Sequence, residues 1–100
     1  VMTFLDNVFD LQNYFERKRI PYVMYNALPN SFEGDSQDFD TIKNAIDMKR
    51  FFNPKVSHLE YITEKNLIVS PNDPHPSTDG HTEWANQMKE FIDANNLRTI

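Results

Sequence analysis

The chain of 100 residues contains no cysteine. That excludes a disulfide framework and a thiolate zinc site, and it leaves the redox compartment open. No apolar stretch approaches the roughly 20 residues that a bilayer helix requires, and no charged-then-apolar leader opens the sequence, so no membrane partner is expected. Basic residues are in the minority. Ten Lys and Arg stand against 15 Asp and Glu, for a formal net charge of -5 and a pI near 5.0. Nucleic-acid affinity comes mainly from clustered Lys and Arg, so no nucleic-acid partner is expected either. The one basic cluster, Arg17-Lys18-Arg19, reads as a helix C-terminus complementing its dipole. Glycine occurs only twice, at Gly34 and Gly80, and there is no internal repeat or low-complexity tract.

What remains is the composition of one folded domain, 39% hydrophobic and 25% charged. Its length is near the lower limit for a self-sufficient core. Because the sequence opens on Val1, a processed, excised or truncated product is expected.

Hydrophobic spacing predicts mostly helix. Phe4, Leu5, Val8, Leu11 and Phe15 trace one face of a helix over residues 4–18, interrupted by Gln12 and capped by Thr3. Ile20-Pro21-Tyr22-Val23-Met24-Tyr25 follows as a short apolar run without polar alternation. This predicts a strand covered on both faces, as in a parallel sheet. The segment Asn26 to Asp38 has the turn chemistry of a loop. Phe39, Ile42, Ala45 and Ile46 predict a second helix ending near Asn53-Pro54. Ser57-His58-Leu59-Glu60 is a capping box, opening a short helix over Leu59 to Lys65 with His58 exposed in its first turn. Leu67-Ile68-Val69 is either a second short strand or an apolar anchor. Trp84, Met88, Phe91 and Ile92 form the buried stripe of a final helix.

The most specific segment is Asn72-Asp73-Pro74-His75-Pro76-Ser77-Thr78-Asp79-Gly80-His81, which runs into Glu83-Trp84-Ala85. It puts a carboxylate and an imidazole in one loop at a helix mouth, where a hydrolase presents a general base and the acid that orients it. Read from the residues alone, Asp73-Pro74 and His75-Pro76 also form a rigid turn in which Asp73 bonds nearby backbone N–H groups. His75, Asp79 and His81 offer a further reading, as nitrogen and oxygen ligands for a divalent metal, without a third strong ligand in evidence.

Through Asp73, His75, Pro76, Gly80 and His81 this segment resembles the last signature block of the SGNH/GDSL hydrolases, in a phage- or marine-like variant. Asp73 lies two residues before His75, where the usual spacing is three. The resemblance implies an α/β fold, a helix-rich, partial flavodoxin-like domain with one or two short parallel strands. Residues 1–100 would then form the C-terminal half of an SGNH domain, without the first strand and its nucleophile. It implies that His75 is the general base, that Asp73 orients it, and that His81 packs rather than reacts. Gly34-Asp35-Ser36 spells the letters of the family's nucleophile block, but no buried strand precedes it, so Ser36 reads as a turn or helix-start residue.

Three function classes follow. The first is an acyl-hydrolase fragment or subunit acting on a small ester or O-acylated carbohydrate, with its nucleophile from elsewhere and no cofactor or metal. The second is a non-catalytic assembly or binding protein that is a homo-oligomer or lacks its N-terminal half. The third is a small metal-binding domain. A sheet of one or two strands is incomplete, and the aromatic content of 13% calls for buried contact surface, which together point to oligomerisation.

Overall fold

The computed structural model describes residues 2–29, 41 and 43–100, with the backbone alone at positions 2 and 3. Ser36, and the parts of the predicted loop and second helix at 30–40 and 42, lie outside the described residues. The elements are α1 (Met2–Arg17), a 3-10 turn (Met48–Arg50), α2 (His58–Glu64), the strands β1 (Ile68–Ser70) and β2 (Asp73–Pro76), and α3 (Thr78–Ala94). Helices dominate, with a small sheet between them.

Helix α1 forms where its apolar spacing predicts, although it already includes Thr3, which therefore is not its cap. Leu5 and Val8 are buried against Ile46 and Phe51, with Phe4, Phe9 and Met24 packed around them. Burying a side chain such as Leu5 is worth about 1.5–3 kcal/mol. Gln12 is buried on the same face and is fully used there. Its Nε2 donates to the Asp47 carbonyl at 3.1 Å, and its Oε1 accepts from the Asp47 N–H at 2.8 Å. A side-chain amide thus pairs with a backbone peptide as a neighbouring strand would. Leu11, expected on the buried stripe, is instead 46% exposed.

The run 20–25, predicted as a strand, makes a single parallel bridge at Met24 rather than a strand ladder. The Met24 N–H donates to the Arg50 carbonyl at 2.8 Å, and the Phe52 N–H donates to the Met24 carbonyl at 2.7 Å. Side chains alternate across this bridge. Met24 and Phe51 face α1, while Tyr25 and Phe52 meet Trp84 of α3 with ring centroids 5.6 and 5.0 Å away. The extended segment is therefore covered on both faces, by α1 on one and α3 on the other.

The second helix stops earlier than Asn53-Pro54. Residues 41 and 43–45 are helical, after which Asp47 turns extended and its carboxylate accepts from the Lys49 N–H at 3.0 Å, capping the 3-10 turn. An Asp that can cap offers the backbone an alternative to continuing a helix. Arg50, at the end of that turn, is buried and donates to the carbonyls of Tyr22 at 2.9 Å, Leu97 at 3.1 Å and Thr99, with its guanidinium 4.9 Å over the Tyr22 ring.

The prediction of parallel strands is corrected at β1 and β2, which pair antiparallel as Ile68 with Pro76 and Ser70 with Asp73. Only Pro71 and Asn72 join them, and a two-residue link closes a hairpin, whereas a parallel crossover needs a dozen residues or more. The register is irregular, with one extra residue on the β2 side. Pro74 has no N–H to give the ladder, and a bulge is where a strand accommodates such a residue.

Candidate functional site

β2 places Asp73 and His75 at the end of the hairpin, and Ser77 then opens α3. The helix begins at Thr78, where the Ser77 Oγ accepts from the Gly80 N–H at 3.1 Å while donating to the Leu67 carbonyl at 3.0 Å. The Ser77 N–H donates to the same carbonyl at 2.9 Å. These three bonds tie Leu67, just before β1, to the mouth of α3. Gly80 completes the junction, since a Cβ there would fall 2.5 Å from the Leu67 carbonyl oxygen.

Asp73 and His75 face one another. His75 Nδ1 lies 2.5 Å from Asp73 Oδ1, and the His75 backbone N–H donates to that oxygen at 3.2 Å. The side-chain contact and the turn bond thus meet on a single carboxylate oxygen. They sit on a strand end rather than in a loop. The bond from the ring and that from the backbone hold the Asp73 carboxyl below its ordinary pKa. An ionised carboxylate is acceptor only, so Nδ1 must carry the proton, which leaves the Nε2 lone pair as the basic site. The pair is open to solvent, His75 being 82% exposed at its side chain.

Beside His75 lies a cleft of about 320 Å³, lined by Ala27, Leu28, Leu59, Ile62, Pro74 and Pro76, with His58 also at its wall. That is the low end of the roughly 300–1,000 Å³ range of small-molecule pockets. No Asp, Glu, Lys or Arg lines it among the described residues.

The capping box opens α2 as the sequence predicts. The Ser57 Oγ accepts from the Glu60 N–H at 3.1 Å, and Glu60 Oε1 accepts from the Ser57 N–H at 3.0 Å. His58 is the correction. It is not an exposed first-turn residue but lies stacked on Trp84, edge-on to Tyr25 and to His81. Its Nε2 is buried without a hydrogen-bond partner, as is the Trp84 Nε1. Burial, reinforced by His81 nearby, lowers its pKa from the usual histidine value. His81 itself is exposed and meets His58 edge-on, with centroids 6.1 Å apart. No local signal separates His58 from an exposed capping-box residue, since its burial depends on Trp84, 26 positions later.

The metal reading of His75, Asp79 and His81 finds no support in the geometry. No group of three His, Cys, Asp or Glu side chains able to hold an ion occurs among the described residues. No helix among them is long and apolar enough to cross a membrane. Compared with known proteins, the chain matches no family model, no curated protein and no solved structure.

Proposed function

We propose that this chain carries the acid–base element of an SGNH-type acyl hydrolase, as the C-terminal part of such a domain. In this reading His75 is the general base and Asp73 its orienting acid, and the nucleophilic serine comes from outside this chain. The observation that carries it is the 2.5 Å contact between His75 Nδ1 and Asp73 Oδ1. It leaves Nε2 to take a proton from an attacking hydroxyl and return it to the leaving alcohol. The apolar, uncharged cleft against His75 favours an ester with a small apolar acyl group as substrate. The flavodoxin-like architecture belongs to the same proposal, supported by the parallel contact at Met24 and Phe51 and by helices on both faces of it.

Without a serine in place, His75 can activate only water. Nε2 takes a water proton as the water oxygen attacks the ester carbonyl, the C–O bond to the leaving group breaks, and the proton passes from Nε2 to the departing oxygen or to solvent. The test is release of p-nitrophenol from p-nitrophenyl butyrate by the purified chain. Slow hydrolysis that is lost in His75→Ala is the expected result, and equal rates in the two proteins would overturn the reading. A second reading, a non-catalytic assembly protein, draws on the backbone edge at Val23 and Tyr25.

A further inference from the structure

The extended segment 22–26 has two edges, and only one is used. On the inner edge, Met24 bonds to Arg50 and Phe52, the Tyr22 carbonyl accepts from Arg50, and the Asn26 carbonyl accepts from the His58 N–H at 2.8 Å. Backbone groups alternate along a strand, so the N–H and C=O of Val23 and Tyr25 point the opposite way. Neither residue has a backbone hydrogen bond among the described residues. Two donors and two acceptors thus stand side by side without a backbone partner among the described residues.

Next to this outer edge is a groove of about 380 Å³ between α1 and the extended segment. Phe4, Val8 and Leu11 form one wall and Val23, Met24 and Tyr25 the other. Leu11 and Tyr25 are 46% and 42% exposed. Proteins that keep a sheet edge unpaired protect it with charge, proline or a bulge on the strand. Tyr22-Val23-Met24-Tyr25-Asn26 carries no charge and no proline, and Pro21 lies just before it.

We infer that this edge is the interface of a homodimer, occupied by the same edge of a second copy. Antiparallel pairing about a two-fold axis at Met24 sets Val23 opposite Tyr25 twice. Each pair exchanges two N–H···O=C bonds, so all four open groups of each protomer are satisfied. The edge is self-complementary in a way that a single donor or acceptor would not be. Met24 shares the α1 face of the sheet, so the partner subunit's Met24 enters the apolar groove. The pairing extends the one parallel bridge into a four-stranded array, with Phe51–Met24 in each half. This inference does not rest on the catalytic reading.

Light scattering after size exclusion tests it, with an expected mass twice the 11.8 kDa of the chain. Val23→Pro removes one outward N–H from a position already extended, where an edge strand tolerates proline. It is expected to elute as a monomer with unchanged far-UV circular dichroism. A monomeric wild type, or a Val23→Pro dimer, overturns the inference. Amide exchange on the wild type gives a readout independent of variant folding. The Val23 and Tyr25 N–H groups should exchange more slowly as protein concentration rises, and concentration-independent fast exchange overturns the inference as well.

Discussion

The imidazole of His58 lies on the indole of Trp84, with ring centroids 4.7 Å apart and planes inclined by 20°. Trp84 is 4% exposed and also touches Tyr25, Phe52 and Tyr61, so it joins α2, α3 and the extended segment. A histidine in that position contributes stacking while neutral. Once protonated, it places a charge beside a ring nitrogen that is buried without a hydrogen-bond partner.

The pH dependence of stability follows. The folded pKa of His58 lies below its unfolded value, so the unfolded chain binds more protons between the two. Its contribution is fully present above the unfolded value of about 6.5 and is lost as pH falls from there toward the folded pKa. Thermal melts should show a lower Tm near pH 5.5 than near pH 7.5, by roughly what one histidine titration supplies. His58→Phe should flatten that slope. An unchanged slope in the variant would remove His58 from the account.

Asp73→Ala takes away the acceptor that fixes the His75 tautomer. Side-chain 15N spectra of the wild type should show the proton on Nδ1, and those of the variant a mixture of tautomers. Because both side chains are exposed, Tm should barely move, within about ±0.5 kcal/mol of stability. In the reverse experiment, His75→Ala should raise the Asp73 pKa toward its ordinary value, read from carboxyl 13C shifts, since the wild-type carboxylate persists to lower pH.

Gly80→Ala is the sharpest steric test. The new methyl would meet the Leu67 carbonyl oxygen at 2.5 Å, and that oxygen already accepts two bonds from Ser77. Backbone on both sides leaves little room to yield, so a loss of about 1–3 kcal/mol is expected in urea melts. The usual gain from replacing a helical glycine by alanine should not appear.

Arg50→Met keeps the length of the side chain and removes the donors to Tyr22, Leu97 and Thr99. Bonds from a charged donor are worth about 1.5–3 kcal/mol, and a loss in that range is expected. Faster amide exchange of residues 97–99 in the variant would locate the effect at the C-terminal segment. Uniformly faster exchange would assign Arg50 to the core as a whole.

The legible parts of the sequence were those written within a few residues. The Ser57–Glu60 box needs two side chains three positions apart and formed as read. The apolar spacing of α1 and α3 likewise found its helices, although Thr3 failed as a cap and the spacing did not single out Ser77, which does cap α3. Asp73 and His75 met because a single residue, Pro74, separates them and leaves little freedom. The parallel expectation for Leu67-Ile68-Val69 failed for an equally local reason, since the two-residue link after Ser70 dictates a hairpin.

Short-range chemistry was therefore determined by the sequence itself: where helices begin, which turn closes, and which carboxylate reaches His75. Tertiary structure alone decided what each surface meets. Gln12 found backbone groups 35 positions away, Arg50 found three carbonyls, and His58 found Trp84. Burial is a property of two surfaces brought together, and neither residue's neighbours in sequence encode the partner. The same reason left Leu11 and the outer edge of Val23 and Tyr25 exposed, where spacing along the chain had placed them inside.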